Sequence, residues 1–98
     1  MEVSRISLCG SDYKLFQGHY GGPRQYPLRF GHEWAGRVLE AAPGNRLAAG
    51  TRVTGDCSRW CGDCGMCAVD RNLCRDIEKF GITVDGFSTR QRLVEERY

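Results

Sequence analysis

Five of the six cysteines lie between positions 57 and 74, and this cluster constrains the fold more than any other feature of the sequence. Cys9 stands apart from the cluster, whose members are Cys57, Cys61, Cys64, Cys67 and Cys74. Residues 56–77 hold few aliphatic side chains, so apolar burial cannot stabilise this segment by itself. Because no signal-peptide pattern opens the chain, we expect reduced thiols that bind a metal rather than disulfide bonds.

The spacing within the cluster matches a four-thiolate zinc site. Cys61, Cys64 and Cys67 follow the pattern Cys-x2-Cys-x2-Cys, and Cys74 comes after six more residues. Zinc binds four ligands tetrahedrally, at ~2.3 Å from thiolate sulfur, and a Cys-x2-Cys turn aims two sulfurs at one ion. Four thiolates leave no open coordination position, so we expect a structural ion in a zinc lobe that spans residues 57–77.

Two other interpretations of the cysteines remain open from the residues alone. Local disulfides are one, although three cysteines at this spacing cannot all pair with one another. An iron–sulfur cluster is the other, although ferredoxin-type runs end in Cys-x3-Cys-Pro and no proline follows Cys74. Cys57 is left over, either as a buried free thiol or as a replacement for the fourth ligand.

The charge and hydropathy of the chain exclude several classes of function. Fourteen Lys and Arg against twelve Asp and Glu give a net charge of +2 over 98 residues, and no basic cluster indicates a nucleic-acid surface. No apolar run approaches the ~18 residues of a membrane span. We therefore expect one small cytoplasmic domain that binds neither nucleic acid nor membrane.

Apolar runs between glycine- and proline-rich loops predict a mainly β chain. The predicted strands are one that ends near Leu8 and others at 28–39, 51–54 and 80–84. Gly36 lies inside the second of these, which predicts a close backbone approach there. A short helical turn capped by Ser11 or Asp12 is expected to end at Gly18. The pattern of residues 87–94 suits a strand or a helix.

Three residues outside the cysteine cluster form a second set with metal-binding chemistry. Cys9, His32 and Glu33 provide a thiolate, an imidazole and a carboxylate, which are ligand types of catalytic zinc sites. Each residue also has an ordinary interpretation, as a buried thiol, a core or loop histidine and a surface acid. In a regular strand His32 and Glu33 would point to opposite faces, so both reach one ion only where the backbone is irregular.

Two short motifs give this second set a context. Cys9-Gly10-Ser11-Asp12 and Gly31-His32-Glu33-Trp34-Ala35-Gly36 occur in this order before the zinc lobe. Together they resemble the zinc-dependent medium-chain alcohol and polyol dehydrogenases, specifically their GroES-like catalytic domain. Within that family the sequence looks most like polyol or aminocyclitol dehydrogenases. The resemblance covers the chain from about Ile6 to its last residue.

The resemblance implies a partial GroES-like barrel over residues 1–98 that carries the zinc lobe. Relatives have about thirty residues before the first motif where this chain has eight, so we expect unpaired strand edges. No Gly-x-Gly-x-x-Gly follows a strand, so we expect no nucleotide-binding Rossmann half within these residues.

The resemblance also implies a role for each residue of the motifs. Cys9 and His32 correspond to ligands of a catalytic zinc, and Glu33 either ligates that zinc directly or lies behind it. Ser11 corresponds to the hydroxyl that passes the substrate proton outward. Asp12 corresponds to the acid that holds the free nitrogen of His32 and fixes its tautomer. Trp34 is expected either to shape the substrate cleft or to pack in the core.

The implied function is the catalytic-domain portion of a zinc-dependent NAD(P) oxidoreductase that oxidises a secondary alcohol or polyol. Zinc is expected at both sites, and NAD(P) only through a domain outside these residues. The intact relatives are expected to be homo-oligomers, and this chain alone is expected to be inactive. The alternative is a non-catalytic binding module that a single structural zinc stabilises.

Overall fold

Two small antiparallel sheets and one short helix make up the regular structure of the chain. The computed structural model describes residues 1–98. In chain order the elements are β1 (Glu2–Ser7), α1 (Gly10–Phe16), β2 (Glu33–Arg37), β3 (Arg52–Val53), β4 (Ser58–Arg59), a 3-10 turn (Arg71–Leu73) and β5 (Glu78–Lys79). Strand residues outnumber helical ones, which confirms the mainly β prediction, and neither sheet closes into a barrel. No helix has the length and hydropathy needed to cross a membrane.

The first sheet has the order β1-β2-β3, and its neighbouring strands are antiparallel. A β-bulge between Val3 and Arg5 adds one residue to β1, so that both Val3 and Ile6 pack against the core. Gly36 pairs with Val3, and a Cβ at Gly36 would collide with the carbonyl of Glu2. The close backbone approach predicted at Gly36 is therefore confirmed.

The core is a small aromatic cluster of Trp34, Phe80 and Phe87. The rings of Trp34 and Phe87 stack with centroids 4.4 Å apart, and Phe80 meets Phe87 edge-on at 5.1 Å. Only 13 of the 98 residues are buried, so apolar burial alone gives this chain little stability.

The strand predicted at residues 80–84 is wrong, because these residues form a turn. The carbonyl of Lys79 accepts hydrogen bonds from the amides of Ile82, Thr83 and Val84. This turn places Phe80 and Ile82 in the core without a continuous strand.

Residues 87–94 are neither a strand nor a helix. They run beside β1, where the amide of Val3 donates to the carbonyl of Arg90 and the amide of Arg92 donates to the carbonyl of Met1. This segment therefore satisfies backbone groups on the outer edge of β1 that would otherwise be unpaired.

Candidate metal centres

The zinc lobe is framed by β4 and β5, which pair antiparallel. Gly62, with a φ of +87°, turns the chain directly after Cys61. The Sγ–Sγ distances are 3.9 Å from Cys61 to Cys67, 3.5 Å from Cys64 to Cys67 and 3.6 Å from Cys61 to Cys74. The structure thus brings the four predicted sulfurs within 4.8 Å of one another.

These distances fit one tetrahedral ion. Two thiolates at ~2.3 Å from zinc are about 3.8 Å apart in a tetrahedral site. A disulfide would bring its sulfurs to about 2.05 Å, whereas all six cysteines are free thiols. An iron–sulfur cluster would distribute its cysteines over several iron atoms and hold them further apart than a single ion does. The geometry favours a single zinc ion over both alternatives.

The thiols of the lobe differ in proton affinity. Hydrogen bonds from the backbone amides of Arg75 and Cys67 lower the pKa of Cys64 to about 6. Desolvation raises the pKa of Cys67 to about 12, and its thiol neighbours add to the rise. Cys64 therefore ionises readily, whereas its neighbour Cys67 holds its proton. A bound divalent cation would favour the thiolate form of both residues.

Cys57 takes no part in the four-sulfur cluster. Its Sγ lies 3.6 Å from the hydroxyl oxygen of Ser58. The side chain is half-buried, which corrects the expectation of a buried thiol. Because Cys61, Cys64, Cys67 and Cys74 already converge, the geometry gives Cys57 no place as a replacement ligand.

The first motif positions Cys9 at the N-terminus of α1. Cys9 is the N-cap residue, and its Sγ accepts a hydrogen bond from the amide of Ser11 at 3.4 Å. In return the Asp12 carboxylate accepts one from the amide of Cys9 at 3.0 Å. This is a capping box in which cysteine replaces the usual serine or threonine. The helical turn is confirmed, whereas the prediction that Ser11 or Asp12 caps it is wrong.

His32 meets both residues of this capping box. Its Nε2 lies 3.0 Å from the Sγ of Cys9, and its Nδ1 lies 3.4 Å from the Oδ1 of Asp12. Both Nδ1 and Oδ1 are buried and have no other hydrogen-bond partner. The ring is therefore oriented with Nε2 toward the thiol and Nδ1 toward the acid.

The backbone before His32 explains how Glu33 reaches the same place. Gly31 has a φ of +95°, and its carbonyl accepts a hydrogen bond from the amide of Phe87 at 2.9 Å. Regular β2 pairing begins only at Glu33, so the irregular backbone anticipated for this pair is present. The ligand atoms of Cys9, His32 and Glu33 all lie within 4.8 Å of one another.

The donors of this second set suit zinc. In a tetrahedral site a thiolate and an imidazole nitrogen are about 3.6 Å apart. The observed 3.0 Å is a direct contact between Cys9 and His32, so the two side chains would move slightly apart to admit an ion. The unpartnered Nδ1 of His32 and Oδ1 of Asp12 form the acid–imidazole pair that commonly supports a metal-bound histidine. Glu33 is exposed, so its carboxylate is free to approach an ion or to leave it.

A cavity of about 490 Å³ adjoins the second set. Its walls include His32, Glu33, Trp34 and Cys57. Trp34 both lines this cavity and packs in the core, which combines the two roles anticipated for it. Ser11 is half-buried beside Cys9 and lies outside the cavity walls.

The cavity wall also contains Arg5, which the sequence did not single out. Its position depends on the bulge in β1, because without the extra residue Ser4 would lie opposite Ala35. Val3 and Ile6 are three residues apart, whereas residues on one face of a regular strand are separated by an even number. This odd spacing is the sequence signal for a bulge between two core-facing residues.

The fold is a β domain with two separate groups of side chains that could hold a metal ion. Residues 1–98 match the family model for the alcohol dehydrogenase GroES-like domain. The chain therefore belongs to this family, and the resemblance seen in its motifs is confirmed.

Two curated relatives and one solved structure show the extent of the similarity. The chain is 31% identical over 112 residues to scyllo-inosose 3-dehydrogenase of Thermotoga maritima, covering 100% of the chain and 28% of that protein. It is 35% identical over 89 residues to sorbitol dehydrogenase of Halalkalibacterium halodurans, covering 88% and 25%. A zinc-binding dehydrogenase of Sinorhizobium meliloti, solved with NADP, aligns with a TM-score of 0.75 and 38% identity over 88% of this chain and 25% of that one. The chain thus spans about a quarter of the length of these proteins.

Proposed function

We propose that residues 1–98 are the catalytic-domain portion of a zinc-dependent NAD(P) oxidoreductase that oxidises a secondary alcohol or polyol. The observation that carries this proposal is the convergence of Cys9, His32 and Glu33 beside a cavity, separate from the four sulfurs of the lobe. A closed four-thiolate site stabilises a fold, whereas a mixed set beside a cavity leaves room for a substrate.

Zinc held by Cys9 and His32 would supply Lewis-acid polarisation of a substrate hydroxyl. Asp12 faces Nδ1 of His32 and orients the ring, so that Nε2 lies beside the thiol of Cys9. Ser11 lies outside the cavity walls, and its amide contacts the Cys9 sulfur. When a substrate hydroxyl reaches the ion beside Cys9, the Oγ of Ser11 would accept its proton and release its own hydroxyl proton to solvent. A nicotinamide cofactor, when bound, would supply the acceptor for the substrate's hydride.

The lobe has a supporting role in this proposal. Residues 57–77 would hold one zinc through the converging sulfurs of Cys61, Cys64, Cys67 and Cys74. The hydroxyl of Tyr98 donates to the carbonyl of Trp60 at 2.8 Å, which ties the lobe to the rest of the domain. Because all these thiols must stay reduced to bind metal, we place the protein in the cytoplasm.

Cobalt substitution tests the proposed function on the chain itself. We expect sorbitol to change the visible spectrum of the cobalt-loaded chain, because its hydroxyls approach the ion at the second set. The His32→Ala variant is expected to lose this response while the cobalt–thiolate absorption of the lobe stays. A response that persists without His32, or no response to any polyol, would contradict the proposal. In the latter case, with one ion per chain, the non-catalytic module is the better description.

A further inference from the structure

We infer that Arg5 makes this cleft selective for polyols that carry an anionic group, a carboxylate or a phosphate. The inference rests on the proposed function and concerns which alcohol the site accepts. Arg5 is the only arginine or lysine in the walls of the cavity beside His32 and Glu33.

The backbone of β1 places Arg5 on the same face of the sheet as Glu33, and both residues line the cavity. Arg5 pairs with Ala35 and Ser7 pairs with Glu33, so these four residues share one face of the β1–β2 pair. Ile6 lies between Arg5 and Ser7 along β1, and its side chain packs against the aromatic core on the opposite face. The bulge at Ser4 produces this register, and such bulges commonly re-aim a side chain beside an active site.

The same bulge holds the guanidinium. Nη1 of Arg5 donates to the carbonyl of Ser4 at 2.7 Å. No carboxylate lies within 4.0 Å of the Arg5 side chain, unlike the four arginines of this chain that are held in ion pairs. Those pairs join Arg29 to Asp85, Arg46 to Glu96, Arg59 to Glu78 and Arg97 to Glu95. The remaining N–H groups of Arg5 are therefore free to bind a carboxylate or phosphate in a forked geometry.

The distance between Arg5 and the second set suits one substrate that reaches both. Diagonal neighbours on an antiparallel pair, such as Arg5 and Glu33, have Cα atoms about 7–8 Å apart. An extended polyol chain spans a comparable length. A hydroxyl at the second set and an anionic end at Arg5 can therefore belong to one molecule. The negative charge of Glu33 would be offset by the bound cation, which leaves the Arg5 end of the cleft positive.

Binding to the zinc-loaded chain tests this inference by calorimetry. The probes are sorbitol, gluconate, sorbitol 6-phosphate and inorganic phosphate. We expect gluconate, sorbitol 6-phosphate or both to bind about fivefold to tenfold more tightly than sorbitol, with the advantage reduced by added salt. The gluconate and sorbitol 6-phosphate arms decide between a carboxylate and a phosphate. The Arg5→Gln variant is expected to remove the advantage of the anionic polyols over sorbitol.

Arg24→Gln is the matched control. Arg24 is also exposed and also donates to a single backbone carbonyl, that of Tyr20 at 2.8 Å, but it lies outside the cavity. This variant is expected to keep the preference for anionic polyols.

Three results would overturn the inference. Equal affinity for sorbitol and both anionic polyols contradicts the role of Arg5 while the proposed function stands. If inorganic phosphate binds as tightly as sorbitol 6-phosphate, Arg5 binds any anion and does not select among polyol substrates. If no polyol binds, the proposed function fails and the inference fails with it.

Discussion

Asp12 illustrates how one residue can serve both local structure and the site. Its carboxylate accepts from the amide of Cys9 as part of the capping box, and its other oxygen faces Nδ1 of His32. The sequence motif predicted the second role by resemblance, whereas the first became visible only in the structure. The reason is that a cysteine N-cap is uncommon, so the usual capping residues Ser11 and Asp12 were the expected ones.

Replacing Asp12 with asparagine should weaken zinc binding at the second set. Loss of the acid removes the charge that supports the His32 ring, and changes of this kind typically cost about 10- to 100-fold in metal affinity. Competition with a chelating indicator measures the effect. Asp76→Asn is the control, because Asp76 is exposed and distant in sequence from both motifs. Equal zinc affinity in the two variants would show that Asp12 does not support a ligand.

Gly36 gives a prediction about packing. Alanine at this position should destabilise the chain by about 1–3 kcal/mol, because its Cβ would collide with the Glu2 carbonyl and force β1 away from β2. Gly21→Ala is the control, since a Cβ there meets nothing within 4 Å. Urea unfolding of the zinc-loaded variants compares the two. Unchanged stability of the Gly36 variant would mean that the strands can separate without cost.

At the scale of elements, sequence patterns predicted local structure well and long-range pairing poorly. The positions of β1 and α1 were predicted closely, whereas β2 (Glu33–Arg37) is much shorter than the strand predicted at residues 28–39. Residues 80–84 have the composition of a strand, but the amides of residues 82–84 donate to the carbonyl of Lys79 and form a turn. Residues 87–94 pair with β1, which lies at the other end of the chain. A local pattern contains no information about such a partner.

The zinc lobe is the element most dependent on its ion. Cys64→Ser should remove one zinc per chain and loosen residues 57–77, because few aliphatic side chains hold them. Cys57→Ser is the matched control and should keep full zinc content, since its sulfur lies outside the cluster. Elemental analysis after gel filtration gives the count. Loss of zinc from the Cys57 variant instead would show that the cluster is assigned incorrectly.

At the scale of the whole molecule, aromatic rings connect the two candidate metal centres. Trp60 of the lobe meets Tyr98 at 4.8 Å, and Tyr98 meets Phe80 at 6.4 Å. Phe80 in turn contacts Phe87, which stacks on Trp34 beside Glu33. Structural zinc contributes on the order of 10 kcal/mol in comparable small modules. With a core this small, a zinc ion in the lobe would therefore stabilise the frame of the second set.

The pure 98-residue chain should show no NAD(P)-dependent alcohol oxidation. Its residues contain no Gly-x-Gly-x-x-Gly after a strand and no parallel sheet on which a dinucleotide is usually bound. Absorbance of the reduced nicotinamide measures turnover with the zinc-loaded chain. Measurable, zinc-dependent reduction of NAD(P) by this chain would contradict the prediction.

Counting zinc ions per chain tests the central claim most directly. We predict two ions in the natural sequence, and one in a variant that carries both Cys9→Ala and His32→Ala, because the four sulfurs of the lobe remain intact. If the natural sequence binds a single zinc, or if the double variant still binds two, the second set is not a metal site and the catalytic assignment is wrong.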